Sequence, residues 1–498
     1  MKLQDMLDGV EVLRQSGDDA VRGLDYDSRR VQNGWLFVAM KGGTTDGNRY
    51  IDAAIAKGAV AVVTDSENET PRAGVAWTVV PHGRRALARL SANFYKRPAE
   101  HLAVTGVTGT NGKTTTTFIV EAILKASARQ SALVGTVEYH LPGEVLPAPH
   151  TTPESLELNQ MFARAVAHGA SEAVMEVSSH ALEQGRVYGV PFDVAIFTNL
   201  TQDHLDYHLT MENYFLAKRI LFEGCGTEPP RCAVVNVDDE AGRRLAEFSR
   251  AHSQVYTYGF EQGDFHAEHL EMTPQGNRFT LTSPSGAIEL RSPLIGRVNV
   301  YNVLAACAAA YARGCRPEQI AAGIASMSRV PGRFERVDEG QPFAVVVDYA
   351  HTDDALRNLT RLAREFAERS KGRVITVFGC GGDRDRTKRP KMGRAAGEGS
   401  DFVVLTSDNP RSEDPAAIIA ESLDALCDTG VRFMAEVDRH KAIAIALKDA
   451  KPGDIVLIAG KGHERTQTTR EGVFPFDDYQ VASEELNRLG YHREGVRE

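Results

Sequence analysis

Three observations predict an α/β protein built in three domains. At 498 residues the chain exceeds what one hydrophobic core sustains, and about three domains is the natural division. Short apolar runs alternate with helical stretches along most of its length, which is the rhythm of mainly parallel sheets flanked by helices. One apolar run then breaks into Val104-Thr105-Gly106-Val107-Thr108-Gly109-Thr110-Asn111-Gly112-Lys113-Thr114-Thr115-Thr116. Glycines followed by a lysine, hydroxyls and helix formers are the order that builds a phosphate cradle.

The first domain is expected over 1–98. It carries apolar strands at 35–40 and 59–64 and a helix at 84–95, ended by Lys96-Arg97-Pro98 because proline cannot continue a helix. The second is expected over 99–332, with a mainly parallel sheet. A strand at 102–107 feeds the phosphate loop and a helix at 118–126. Strands follow at 172–177, 193–197 and 232–237, with helices at 159–168, 212–222 and 240–251. The stretch 265–294 alternates and is punctuated by Pro274-Gln275-Gly276-Asn277 and Ser283-Pro284-Ser285-Gly286, so it reads as an antiparallel insertion. After Val330-Pro331-Gly332-Arg333 the α/β rhythm restarts, giving a Rossmann-like third domain over 333–498 with strands at 343–347, 374–378, 402–405 and 455–458. Its strand ends lead into Gly379-Cys380-Gly381-Gly382-Asp383 and Ser407-Asp408-Asn409-Pro410-Arg411, where open α/β sheets bind ligands.

Composition narrows the function. A net charge of −10 weighs against a generic nucleic-acid binder. Six cysteines without a C-x-x-C pair argue against a zinc site or a disulfide framework and suit a reducing cytosol. The N-terminus lacks the charged and apolar segments of a signal peptide, and no run has the apolar length of a membrane span, so a cytoplasmic protein is expected.

In the cradle, backbone N–H groups of Gly109, Thr110, Asn111, Gly112, Lys113, Thr114 and Thr115 would close on phosphate oxygens. Lys113 would reach the β- and γ-phosphates, and Thr114 would offer its hydroxyl to Mg²⁺. Val107 stands where the usual P-loop has its first glycine; a Gly/Thr-rich turn without ligand is the plain alternative. Glu176 ends a buried strand, and His204 follows another within Asp203-His204-Leu205-Asp206-Tyr207-His208. Both lie where the loop's own strand would end; Mg²⁺ beside phosphates favours hard oxygen ligands, a role Glu176 fits, with His204 as the second candidate ligand and a turn or core histidine as its plain alternative.

The segments TGTNGKTTT, EVSSHALEQGRV, TNLTQDHLDYH, LIGRVNVYN, VDYAHTDDAL, FGCGGDRDRTKRP, DNPRSEDP and GKGHE together resemble the Mur ligase family. The resemblance runs from Asp27-Ser28-Arg29 to Glu464 and favours the member that adds the third amino acid. It implies a UDP-binding N-terminal domain, a central ATPase domain and a C-terminal amino-acid domain. It also implies an ATP-dependent ligase of peptidoglycan synthesis. ATP would phosphorylate the D-glutamate carboxylate of UDP-N-acetylmuramoyl-L-alanyl-D-glutamate, and the amine of meso-diaminopimelate would displace the phosphate.

The resemblance carries residue roles with it. Lys218 matches a lysine that is carbamylated in the family; an N6-carboxylysine would supply an oxygen ligand for Mg²⁺ beside Thr114, Glu176 and His204, where an unmodified lysine would repel the metal. Asn302 and Arg333 match positions near the nucleotide, and His351 and Asp354 positions that approach it. The sugar-nucleotide positions are Tyr26, Ser28, Gly43, Thr44 and Thr45; those for its peptide are Thr151, Thr152, Ser178, Gln184 and Arg186. His150 stands where many relatives have asparagine, and Asp353 where proline is common, at a helix start where aspartate also serves as a cap.

Arg384, Asp408, Asn409, Pro410, Arg411, Gly460 and Glu464 match the amino-acid site. Arg411 can grip the second carboxylate of diaminopimelate bidentately, and Glu464 can take its ammonium; lysine would leave Arg411 unpaired. Arg411 as a solvated loop residue is the bland alternative. A lysine-adding ligase and a folylpolyglutamate synthetase are the rival enzymes, and the N-terminal Asp-Ser-Arg segment argues against the second. A non-catalytic nucleotide-binding regulator would not need Lys113, Glu176, His204 and Lys218 together. A monomer without nucleic-acid or membrane partner is expected.

Overall fold

The computed structural model describes residues 1–43, 45–260, 262–273, 276–327 and 329–492. The chain gathers into two compact units. The larger holds Met1–Met272, Gly276–Pro293 and Arg297–Met327, and the smaller holds Thr273, Leu294–Gly296 and residues 329–492.

The larger unit contains two sheets. The first runs Arg14–Ser16, Ala76–Val79, Ala59–Thr64, Trp35–Ala39, Gly23–Asp25 and is parallel except at the Arg14–Ser16 edge. Its two central strands are those expected from sequence, and both are buried because helices cover them. The helix Gly83–Phe94 packs Leu87 and Leu90 into this core. Lys96 and Arg97, both at positive φ, stop it, and a tight turn starts at Pro98.

The second sheet has eleven strands. In order they are Gly286–Ser292, Gly276–Ser283, Phe265–Thr273, Gln254–Gly259, Cys232–Asn236, Phe192–Phe197, Ala103–Thr108, Glu172–Glu176, Ser131–Val134, Glu138–Leu141 and Glu144–Pro147. The seven strands from Phe265–Thr273 to Ser131–Val134 are parallel. The stretch expected as an antiparallel insertion is therefore a continuation of this sheet. Phe265–Thr273 joins Gln254–Gly259 in parallel and neighbours Gly276–Ser283, which forms an antiparallel hairpin with Gly286–Ser292. Pro274 and Gln275 lie outside the described residues. Register sets Val107 opposite Glu176, so the phosphate loop and that carboxylate leave the sheet side by side.

The smaller unit holds a six-stranded sheet in the order Glu335–Val337, Ala344–Asp348, Ile455–Ala459, Val374–Cys380, Phe402–Ser407, Arg432–Glu436, parallel except for its first strand. Asp353–Ser370, Lys388–Gly399 and Pro415–Cys427 cover one face, and Arg439–Asp449 and Asp478–Arg488 the other. Burial on both faces explains the continuous Val/Ile/Leu runs of its central strands. No helix among the described residues is long and apolar enough to cross a membrane.

Candidate active site

The phosphate loop closes at the carboxyl end of Ala103–Thr108. Gly109 adopts φ +145, and a Cβ there would lie 1.9 Å from the Thr198 hydroxyl. Gly112 adopts φ +88, and its Cβ would lie 2.4 Å from Asn302 Oδ1. Only glycine allows those approaches, and they bring Thr198 and Asn302 against the loop. The following helix spans Lys113–Ala126, five residues earlier than expected. The threonines at its start are buried against the sheet, and Thr117 Oγ1 donates to the Thr114 carbonyl at 2.8 Å, so tertiary packing overrides their weak helix preference.

Sequence reasoning missed the residues that shape this loop. The Asn199 side chain accepts from the Asn111 N–H at 2.9 Å and donates to the Asn111 carbonyl at 3.1 Å, while its own carbonyl accepts from the Thr110 N–H. Thr198 Oγ1 donates to the Asn111 carbonyl at 2.7 Å. Both belong to the TNLTQDH segment, whose polar residues were the available signal.

Two lysines converge on one oxygen. Lys113 Nζ donates to the Gly109 carbonyl at 2.9 Å and to the Thr110 carbonyl at 2.9 Å; Lys218 Nζ donates to the same Gly109 carbonyl at 2.8 Å. Lys218 lies in the helix Met211–Glu223, is buried, and sits 4.4 Å from the Tyr214 ring centroid. Burial pushes its amine well below the usual lysine range, and Lys113 adds to the effect while Asp203 opposes it. Tyr214, also unforeseen, places its hydroxyl 3.3 Å from Thr110 Oγ1.

Glu176 is buried, and its oxygens accept from the Thr136 N–H at 2.7 Å and the Thr136 hydroxyl at 3.1 Å. His204 sits at φ +52, with its Nε2 3.5 Å from Asp203 and its ring 4.8 Å from that of His180. Burial lowers its imidazole to about 4 against the pull of Asp203, with the nearby Lys113 and Lys218 also disfavouring a proton. A neutral imidazole is the form that ligates a metal. Thr115 is buried in the first helical turn. Arg333 belongs to the smaller unit, its guanidinium 4.9 Å from the Tyr349 ring centroid. There His351 Nδ1 lies 2.9 Å from the Tyr349 carbonyl, and Asp354 accepts from Asn358.

The residues expected for the sugar-nucleotide peptide form one network. Thr152 Oγ1 donates to the Glu176 carbonyl at 2.9 Å and accepts from the Ser178 N–H at 3.1 Å. Ser178 caps the helix Ser179–Glu183. Arg186 donates to the Thr152 carbonyl at 3.0 Å and to Gln184 Oε1 at 2.8 Å, and Thr151 pairs with Thr136 through hydroxyls 3.0 Å apart. Arg84 extends the network, joining Glu154 and Gln184 at 2.8 and 2.9 Å. In the N-terminal sheet, Tyr26 donates to Glu157 at 3.1 Å, Ser28 is half-buried, and Gly43 and Thr45 are exposed, whereas Thr44 lies outside the described residues. His150 is exposed, and its carbonyl accepts from Tyr139. The helix at 353 is capped by Thr352, which accepts from the Ala355 N–H. Asp353 therefore does not cap; it sits in the first turn, where its charge suits the helix dipole.

In the smaller unit Asp408, Asn409, Pro410 and Arg411 leave the strand Phe402–Ser407, beside the Gly460–Glu464 loop that leaves Ile455–Ala459. A Cβ on Gly460, at φ +116, would lie 2.7 Å from Asp408 Oδ2, so glycine lets the two loops touch. Asn409 Nδ2 donates to Glu464 Oε2 at 2.7 Å. Arg411 Nη1 donates to the Gly382 carbonyl at 2.7 Å, and Arg384 is exposed on the same loop as Gly382. Behind them the fully buried Arg439 pairs with Asp478 at 2.7 Å and donates to the carbonyls of Ser407 and Ala459, tying together the two strand ends that carry the loops. Its position inside a helix gave no signal in the sequence.

Family models match in three segments: the Mur ligase family catalytic domain at residues 20–95, the Mur ligase middle domain at 107–310, and the Mur ligase glutamate ligase domain at 332–462. A UDP-N-acetylmuramoyl-L-alanyl-D-glutamate--2,6-diaminopimelate ligase of Solibacter usitatus is 51% identical, covering 99% of this chain and 100% of its own. One of Geobacter metallireducens is 45% identical, covering 99% and 100%. A solved structure of a ligase of that name superposes with a TM-score of 0.70 at 33% identity, covering 98% of this chain and 99% of its own. By end-to-end likeness in sequence and fold, the chain belongs to the Mur ligase family.

Proposed function

We propose that the protein is an ATP-dependent amide ligase of peptidoglycan precursor synthesis that joins meso-diaminopimelate to UDP-N-acetylmuramoyl-L-alanyl-D-glutamate. The observation that carries this reading is 51% identity along the full length of a ligase named for diaminopimelate and that dipeptide. We divide the chain into a UDP-substrate domain (1–98), an ATP-binding domain (99–332) and an amino-acid domain (333–498), and take it to act as a cytoplasmic monomer.

The residues supply a route. The loop from Gly109 to Thr115 and the start of its helix hold the phosphates, and Lys113 exchanges its carbonyl partners for β- and γ-phosphate oxygens. The D-glutamate carboxylate attacks the γ-phosphorus; the bond to the β-γ bridging oxygen breaks, leaving ADP and an acyl phosphate. The network of Thr152, Ser178, Gln184 and Arg186 orients the peptide that carries that carboxylate. The neutral amine of diaminopimelate adds to the acyl carbon, the tetrahedral intermediate expels phosphate, and the amine proton is lost to give the amide.

The donor set suits magnesium through its oxygens, the Thr114 hydroxyl and the buried Glu176 carboxylate, with the neutral imidazole of His204 as an added nitrogen donor. Lys218 joins them as a carbamate, since an amine whose proton is disfavoured can add to CO2, releasing one proton and gaining a carboxylate. Magnesium, when bound, supplies positive charge that offsets the meeting of a triphosphate and a carboxylate.

Phosphate release measured with the UDP-muramoyl dipeptide and ATP, offering diaminopimelate, lysine and ornithine in turn, tests the reading. Release with diaminopimelate is expected. Release that ignores the amino acid, or needs no dipeptide, defeats it.

A further inference from the structure

Lys461 lies between Gly460 and Glu464, on the loop beside Asp408–Arg411 that is assigned to the amino acid. Its side chain is fully buried. Its ammonium donates to Glu464 Oε2 at 3.1 Å, to Asn409 Oδ1 at 3.1 Å and to the Thr466 carbonyl at 2.7 Å, which uses all three of its protons. Asn409 is thereby locked. Its Oδ1 accepts from Lys461 and from the Thr468 N–H at 2.9 Å, and its Nδ2 donates to the same Glu464 oxygen. Glu464 is left half-engaged. Oε2 is held by a cation and an amide, while the hydrogen bonds of the described residues leave Oε1 open and the side chain 30% exposed.

The open oxygen belongs to a carboxylate whose charge already has a buried partner. Lys461 cancels Glu464, and the buried Arg439 is matched by Asp478. Arg411 donates to the Gly382 carbonyl and Arg384 to the Asp383 carbonyl, so among the described residues neither guanidinium is ion-paired with a carboxylate, although the charge of Asp383 reaches Arg411. The far end of diaminopimelate brings a carboxylate with its ammonium, whereas that of lysine brings an ammonium alone.

We propose that Lys461 is a specificity-determining residue that rejects lysine. By neutralising Glu464 from beneath, it leaves an acceptor too weak to hold an ammonium that arrives without a carboxylate. Arg411 attracts the correct amino acid and Lys461 repels the wrong one, the two halves of a selective site. The inference rests on the diaminopimelate-adding reading given above. It separates two effects that Arg411 alone would merge: contrary to the sequence expectation, Arg411 keeps the Gly382 carbonyl as a partner when no second carboxylate arrives, so removing it weakens use of diaminopimelate without admitting lysine, and removing the Lys461 charge admits lysine.

The test compares kcat and KM for diaminopimelate and for lysine, at saturating ATP and dipeptide, in the wild type, Lys461→Met, Lys461→Arg and Arg411→Ala. Lys461→Met should raise kcat/KM for lysine tenfold or more while the KM for ATP stays within twofold. Lys461→Arg, which keeps the charge, should stay closed to lysine. In Arg411→Ala, kcat/KM for lysine should remain within about twofold of wild type. A folded Lys461→Met that stays closed to lysine, or loses both activities in parallel, overturns the proposal. Should that variant not fold, Arg411→Ala still decides, because a tenfold gain of lysine use there overturns it equally. A wild type that uses no diaminopimelate defeats the parent reading instead.

Discussion

Lys113 and Lys218 compete for the Gly109 carbonyl, and two full positive charges on one oxygen would repel. Burial, with the charge of Lys113, disfavours a proton on Lys218. Lys218→Ala should therefore lower turnover by more than a hundredfold, and a short-chain carboxylate such as acetate should restore part of it; steady-state rates with and without acetate check this. A ¹³C-bicarbonate NMR experiment on the wild type should show a carbamate signal that the variant lacks. Arg411→Ala should weaken diaminopimelate by about ten- to a hundredfold, the worth of about 1.5–3 kcal/mol for a charged hydrogen bond, read as a rise in its KM. Lys113 and Arg411 stood out in the sequence through the glycine loop and the Asn-Pro-Arg turn that carry them, and Lys218 only through the family resemblance. Lys461 and Arg439 did not, because a buried cation has the same letter as a solvated one and only its partners distinguish it.

At the scale of elements, two structures invite a test. Gly112 starts the phosphate-loop helix at positive φ with Asn302 in the place of a Cβ. Gly112→Ala should cost about 1–2 kcal/mol from backbone strain alone, seen as a lower melting temperature together with weaker nucleotide binding by calorimetry. The helix Lys113–Ala126 is also pinned to the strand Glu138–Leu141 through His140, which meets Glu121 at 2.8 Å and Glu138 at 2.9 Å. Burial alone would lower that imidazole, but the hydrogen bonds from Glu121 and Glu138 override it and raise it to about 9. A raised value in the folded state means the pin contributes fully below pH 6.5, the value of a free histidine, and is lost as pH climbs through 9. Thermal melts from pH 6 to 10 should show a decline in the wild type that His140→Gln flattens, a difference of about 3 kcal/mol.

Across the whole molecule, the two compact units carry different binding elements, the phosphate loop in one and the Asp408–Arg411 loop in the other. Scanning calorimetry should show Mg-ATP raising the transition of the larger unit and diaminopimelate that of the smaller, each by about 2.7 kcal/mol at a hundredfold excess over Kd. The central strands were legible from sequence because burial on both faces leaves them no polar residues to spare. The edges were not: Arg14–Ser16, Glu144–Pro147 and Arg432–Glu436 are largely exposed, so no apolar pattern marks them. Tertiary packing likewise hid the true start of the phosphate-loop helix, whose threonines are poor helix formers on their own. The sheltered amine at position 218 has a practical corollary. If it must capture an atmospheric gas before the first turnover, preparations handled under argon in degassed buffer should lie dormant and wake on exposure to air, making dissolved carbon dioxide an unweighed reagent in every assay.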